Sequence, residues 1–314
     1  MKLATIKKQI EKAVKLHAKN LGICAVKSVK VSKIGVGENN LNMLAEVNGK
    51  KFTFRISLKS EKNLSDEFRA LHRIPKGLGP KPIYIDKTKR ILSHEYIVME
   101  YIEGRVLKRL SDKHLKLHAK SLAKLHSIRK KLPNGFDLNK WLKKEINWTA
   151  KRMPIYEDKE IQELLPKGIE YVKSKNHLFT ALKQSSLTHC DPCLSNIIFN
   201  KKGLRYIDWE WSKFHDNAYD VSMIYDPDCT QPPWKMKLSG KRLKTYLNTY
   251  NRYMKDKTLM QRVPVWITVY RFTDLLFFKY KLWNWKNEKS KDIPKKQYEA
   301  HLRNTIKMLR KQFR

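Results

Sequence analysis

The chain has 314 residues, 41% of them hydrophobic and 11% aromatic, which excludes a disordered chain and allows two lobes with substantial cores. Sixty-seven Lys and Arg against 30 Asp and Glu give a formal net charge of +37, a field that concentrates anions and favours phosphate-bearing ligands, RNA and acidic membrane surfaces. No run of about 18 apolar residues occurs, so the sequence offers no membrane-spanning helix, and four cysteines over this length make no disulfide framework, the pattern of a reduced, cytoplasmic protein.

The N-terminal stretch lacks the apolar centre of a secretory signal and predicts an amphipathic helix with Ile6, Ile10, Val14 and His17 on one side. Three antiparallel strands are expected next, carried by Val29, Val31 and Ile34, by Met43 to Val47, and by Phe52, Phe54 and Ile56. Asn48-Gly49 between the last two is a hairpin signal. Ser65 reads as the N-cap of a helix whose apolar side is Leu64, Phe68 and Leu71. A turn-rich bridge and two further strands end at Gly104. Ser111 and Asp112 then cap a helix with Leu115, Ala119, Leu122 and His126 at helical spacing, residues 139 to 180 predict two more, and the last third is helical. Sheet first and helices later define an α+β chain of two lobes, with the break expected between residues 1–102 and 103–314.

The segment THCDPCLSNIIFNKKGLRYIDWE, residues 188–210, sets Asp191, Asn196 and Asp208 among apolar runs. Each of the three is as well explained alone as a turn cap. Their combination at this spacing, with an apolar strand after each, favours a site instead. Cys190-x-x-Cys193 lacks a second pair and does not read as a zinc or redox motif. An Asn-Lys-Lys-Gly turn after Phe199 would lay two strands side by side, so that Asn196 and Asp208 could both offer hard oxygens to magnesium.

The His189-x-Asp191-x4-Asn196 run, the Ile207-Asp208-Trp209-Glu210 run and the Asp216/Asp220 pair resemble the aminoglycoside phosphotransferase and choline kinase family. The resemblance extends to about residue 225 and implies a bilobal protein-kinase-like fold, with a mainly β N-lobe holding one internal helix and a larger helical C-lobe. It implies an ATP- and Mg2+-dependent kinase acting on a hydroxyl. Asp191 would be the catalytic base, Asn196 and Asp208 the metal ligands, and His189 and Asp220 supports of the catalytic loop. Gly35 and Gly37 of the Gly35–Asn40 turn would cover the nucleotide; the alternative is an ordinary hairpin. Arg55 would neutralise phosphate charge and pair with Glu67, or else lie on a solvated edge. The backbone at Glu100 and Ile102 would meet the adenine. Asp216 has no assigned role.

Cys190 replaces the arginine of the protein-kinase His-Arg-Asp triplet, and Asp220 follows Asp208 after only twelve residues, so a protein substrate is disfavoured. The expected acceptor is a small molecule of choline, aminoglycoside or sugar-alcohol type. Candidate lining residues are Trp234, Trp266, Trp283 and Trp285 with Asp226, Asp228 and Asp274, although aromatics at helical spacing also make ordinary core. The alternative acceptor is a hydroxyl of structured RNA, which the charge favours, with basic helices such as KSLAKLHSIRKK as contact surfaces.

Overall fold

The computed structural model describes residues 3–37, 39–58, 64–107, 109–225, 238–287 and 295–314. In chain order the first stretch holds α1 (Leu3–Leu16), β1 (Val29–Val36), β2 (Asn40–Val47), β3 (Lys50–Ser57), α2 (Leu64–Arg73), β4 (Pro82–Asp86), β5 (Tyr96–Glu100) and β6 (Arg105–Val106). Then come α3 (Asp112–His126), β7 (Arg129–Lys131), α4 (Leu138–Ala150), α5 (Lys159–Lys175), α6 (His177–Thr180) and β8 (Gln184–Thr188). A hairpin of β9 (Ile197–Asn200) and β10 (Gly203–Tyr206) follows. The chain closes with β11 (Lys213–His215), α7 (Asn217–Tyr225), α8 (Gly240–Met254), α9 (Leu259–Lys286) and α10 (Lys295–Gln312).

These elements form two compact units, residues 1–106 with 197–212, and residues 107–196 with 213–314. The hairpin 197–212 joins the first unit because β9 pairs with β6 through Arg105 and Val106. A single break near residue 102 does not anticipate that return, which depends on a pairing across about ninety residues of chain.

The first unit is built on a five-stranded antiparallel sheet, ordered β1-β2-β3-β5-β4. Alternation on β2 and β3 sends Met43, Ala45, Phe52 and Phe54 into one core, and α1 adds Ile6, Ile10, Ala13 and Val14 to it. Asn48 and Gly49 both have positive φ, 48° and 79°, the backbone a two-residue hairpin turn needs. The Asn48 side chain also accepts from the Lys27 and Ser28 amides and donates to the Ala25 carbonyl. On α2 the sequence reading needs correction. The helix starts at Leu64, which is buried, so Ser65 lies in its first turn rather than capping it. Phe68 is only half-buried, and Glu67 occupies the inner position with Leu64, Ala70 and Leu71, because its carboxylate has a cationic partner there.

In the second unit α3 is capped as expected, with Ser111 Oγ accepting from the His114 amide. Helix α9 is its central element. It runs for 28 residues, packs on α4, α5, α6, α7 and α10, and buries Trp266 and Phe272. Trp266 is therefore core, whereas Trp283 and Trp285 are half-buried. Trp234, Asp226 and Asp228 lie outside the described residues. Among those described, no helix is long and apolar enough to cross a membrane.

One glycine here is demanded by space as well as conformation. Gly135 has φ +69°, and a Cβ on it would stand 2.0 Å from the Thr180 carbonyl oxygen. Gly135→Ala is expected to destabilise the protein by more than about 3 kcal/mol, combining left-handed backbone strain with a clash against main chain. A urea unfolding curve indistinguishable from the parent's would count against this packing.

Candidate active site

In the first unit two of the sequence-predicted residues, Glu67 and Asp208, gather around a third, Arg55. Arg55 sits mid-strand on β3, 4% exposed. Its Nε lies 2.8 Å from a Glu67 carboxylate oxygen on α2. Its Nη2 donates to Asp208 Oδ1 at 2.5 Å and to Glu210 Oε2 at 3.0 Å. Burial alone would lower the Arg55 pKa, but the charges of Glu67, Asp208 and Glu210 outweigh it and the guanidinium is held more firmly protonated. Arg55 is thus interior and triply paired, and the solvated-edge alternative is excluded.

Glu210 is a residue the sequence reading left without a role. Besides Arg55 it accepts from Asn39 Nδ2 at 3.2 Å and Asn40 Nδ2 at 2.8 Å, tying the turn after β1 to the segment that carries Asp208. Gly35 lies at the end of β1 beside a register shift, and the Gly37 amide donates to the Asn40 carbonyl. Neither glycine has positive φ, and a Cβ at either would meet nothing closer than 3.7 Å. Glu38 lies outside the described residues. On the β5 side, Glu100 donates its amide to the Lys81 carbonyl and receives both Nη1 and Nη2 of Arg205 at 2.7 Å, while Ile102 is buried. Arg205 is a second partner that sequence did not reveal.

In the second unit β8 delivers the loop His189–Asn196. Asp220, on the first turn of α7 and fully buried, accepts the His189 and Cys190 amides, each at 2.8 Å. His189 Nδ1 then accepts the Asp191 amide at 3.2 Å. Asn196 Nδ2 donates to the Asp191 carbonyl at 3.0 Å and to its Oδ2 at 2.9 Å. The loop is therefore held from beneath by one carboxylate and across its mouth by one amide. Burial works to raise the Asp220 carboxyl, but hydrogen bonding from His126 and the His189 amide reverses this, and its pKa is lowered. The thiols of Cys190 and Cys193 are both buried; burial pushes Cys190 up to about 12 and Cys193 up as well, so both remain protonated and unreactive.

Two non-glycine residues of the motifs have left-handed backbone, Cys190 at φ 66° and Asp208 at φ 65°. Such conformations are uncommon away from turns and persist where surrounding bonds impose them.

The donors present suit magnesium better than zinc. No cluster of three or more His, Cys, Asp or Glu side chains with metal-holding geometry occurs among the described residues. Mg2+ takes few protein oxygens and completes its shell with phosphates and water. Asp208, with its side chain 35% exposed, offers a carboxylate, and both Nδ2 hydrogens of Asn196 are committed to Asp191, which orients the amide with Oδ1 as its acceptor.

A model of the phosphotransferase enzyme family matches residues 30–258, and the chain belongs to that family. The match reaches past residue 225, through α8, further than the motifs alone suggest. Among solved structures the chain is similar to Plasmodium vivax ethanolamine kinase, at 17% identity over 94% of this chain and 86% of that one, with a TM-score of 0.70. It is similar to a choline/ethanolamine kinase family protein from Mesorhizobium loti, at 18% identity, 96% and 94% coverage and a TM-score of 0.65. It is also similar to a spectinomycin phosphotransferase in complex with ADP and spectinomycin, at 12% identity, 96% and 97% coverage and a TM-score of 0.59. No curated protein matches the sequence. The α+β architecture is the protein-kinase-like one, and the protein is a phosphotransferase.

The Arg55–Glu67 pair allows a direct test of the first unit. Arg55→Met is expected to cost about 3–5 kcal/mol, because it leaves Glu67 buried beside an apolar side chain. Arg55→Met with Glu67→Met should recover part of that loss in denaturant titrations, the rest remaining with Asp208 and Glu210. Equal stability of the single and double variants would contradict the pairing.

Proposed function

We propose that the protein is an ATP- and Mg2+-dependent kinase that transfers the γ-phosphoryl group of ATP to a hydroxyl of a small molecule. The observation that carries this reading is the bracing of Asp191, whose loop amides end on Asp220 and whose carboxylate receives Asn196. Phosphoryl transfer asks a protein mostly for positioning and charge neutralisation. In this reading Asp191 accepts the proton of the acceptor hydroxyl as its oxygen bonds to the γ-phosphorus and the bond to the β,γ-bridging oxygen breaks, releasing ADP. Asn196 and Asp208 hold Mg2+, which neutralises phosphate charge when bound. Arg55, fixed by Glu67, contributes positive charge toward the α/β-phosphates, and Gly35 and Gly37 give the covering turn a backbone a nucleotide can approach. The backbone at Glu100 and Ile102 meets the adenine edge, and His189 and Asp220 hold the loop. A bound ADP in one structural neighbour supports the nucleotide.

For the acceptor, the ethanolamine and choline kinases among the neighbours favour a small amino alcohol. Half-buried Trp141, Tyr219 and Tyr270 support that choice: Tyr219 lies 6.2 Å from each of the other two rings and feels the charges of Asp274 and Glu145. Aromatic faces and carboxylates together recognise an ammonium group. A second acceptor, RNA, is favoured by one observation. Lys113, Lys116, Lys120 and Lys124 form an exposed stripe on α3, beside Lys241, Lys244 and Arg252 on α8. The two helices carry one acidic residue, Asp112, and it is already paired with Arg242.

The test is transfer from γ-labelled ATP to a pool of small alcohols and amino alcohols, and separately to total small RNA. Label is expected in an amino alcohol, with Asp191→Asn reducing kcat by about 10²- to 10⁴-fold and Asp208→Ala abolishing turnover in a folded protein. Label in RNA, weakening steeply with salt, would replace the small-molecule acceptor. Near-normal turnover by folded Asp208→Ala would remove the metal assignment.

A further inference from the structure

Behind the loop that carries Asp191 lies a buried chain of polar side chains whose donors and acceptors can be followed from a cation at one end. It begins at Arg262, fully buried near the start of α9 and held more firmly protonated, because the charges and hydrogen bonds of Asp216 and Asp256 outweigh the opposing effect of burial. Its Nε and Nη2 bind Asp216, which also accepts from Trp266 Nε1 at 2.7 Å. Nη2 further donates to Asp256 Oδ2 at 2.8 Å and to Asn217 Oδ1 at 3.2 Å. Asp256 Oδ2 in turn accepts from Asn217 Nδ2 at 3.2 Å.

A guanidinium can only donate and a carboxylate can only accept, so the Asn217 amide is fixed at both ends. Its Nδ2 also donates to Tyr250 Oη at 2.9 Å. The Tyr250 proton is thereby turned toward His126 Nδ1, 2.7 Å away. With Nδ1 accepting, the ring proton of His126 sits on Nε2 and is donated to Asp220 Oδ2 at 3.0 Å. Asp220 then holds the amides of His189 and Cys190, the two residues before Asp191. His126, Tyr250 and Asp220 are fully buried and Asn217 is 8% exposed, so water is not at hand to replace a lost link.

We propose that Arg262, Asn217 and Tyr250 are positioning residues for phosphoryl transfer, because the chain they form ends on His126 Nδ1 and holds the ring whose Nε2 proton braces Asp220 beneath the catalytic loop. This rests on the role of Asp191 proposed above. With the opposite tautomer the imidazole would present a lone pair to a carboxylate, and the brace beneath the loop would loosen. The ionisable groups around His126 and Asp220 include Tyr250 and Tyr246 from α8, His118 from α3, Tyr219 from α7, His215 from β11, and His189 and Cys190 from the loop. None of these except Tyr250 meets Nδ1 of His126 in a hydrogen bond among the described residues.

Tyr250→Phe keeps the ring and removes the link. It is expected to lower kcat by about tenfold with KM for ATP within about twofold. Asn217→Asp should produce the same loss, and the double variant no further loss, because either change breaks one chain. Tyr246→Phe is the control: Tyr246 is equally buried, and its hydroxyl has no hydrogen bond among the described residues, so kinetics should match the parent's. A Tyr250→Phe kcat equal to the parent's, or additive losses in the double variant, would overturn the proposal. Imidazole nitrogen NMR provides a readout independent of turnover. The parent should show His126 protonated at Nε2, and an Nδ1-protonated His126 would overturn the proposal even if transfer is detected. A parent that transfers no phosphate to any acceptor, yet shows the Nε2 tautomer, would instead sink the functional reading.

Discussion

A buried guanidinium cannot shed its proton to escape desolvation, so it dictates its neighbours. Each unit of this protein is organised around one such group. In the first, Arg55 enters the interior on a central strand and collects Glu67, Asp208 and Glu210. In the second, Arg262 enters on the first turns of α9 and collects Asp216, Asp256 and Asn217. Truncating either arginine would leave several carboxylates without their counter-charge. The motif residues are therefore held by electrostatic necessity as well as by the apolar strands around them.

The two arginines work on their motifs differently. Arg55 touches Asp208 directly, so the carboxylate that the proposal assigns to the metal is already oriented without one. Arg262 is several links from the loop it influences, and it acts by fixing which atom of each intermediate group donates. Direct pairing delivers charge at a point. A relay delivers orientation, and phosphoryl transfer needs both, since its barrier falls mainly through placement of charge and of the attacking oxygen.

Much of this was legible in sequence where the signal is local. Asn48-Gly49 specified its turn, Ser111 its helix start, and Asp191, Asn196 and Asp208 stood out because polar residues interrupt apolar strands at a distinctive spacing. Asp220 and His189 were legible as supports from the motif, but the residues behind them were not, for physical reasons. His126 and Tyr250 sit at helical spacing among Leu and Ala, indistinguishable from ordinary core positions. Their partners lie 94 and 124 residues away along the chain. Glu210 and Arg262 looked like surface charges in a sequence full of them. Ser65 misled because a buried leucine one position earlier starts the helix. Arg262 follows the exposed Met260 and Gln261 on the first turn of α9, a setting that reads as a solvated helix start, so its burial left no local signal.

The same interior explains where the protein's charge must lie. The fully or nearly buried ionisable residues are of both signs, with Glu67, Asp86, Asp216 and Asp220 against Arg55, Arg205 and Arg262. These groups nearly cancel, so the interior absorbs almost none of the +37 excess, which falls on the outer surface. Nor is that surface everywhere alike. On α5 acidic and basic residues alternate, and Lys279 and Arg310 are met there by Asp158, Glu160 and Glu163. Along α3 and α8 the lysines have one carboxylate between the two helices, and that one is taken. An anion approaching the outer side of α3 and α8 therefore meets a concentrated positive field, and the inner sides of the same helices carry His126 and Tyr250. The fold thus concentrates repulsive cations on the same two helices whose buried faces carry the chain that ends beneath the His189–Asn196 loop. That arrangement makes those helices sensitive to counter-ions, since screening relieves repulsion between neighbouring lysines while leaving the buried chain beneath them untouched.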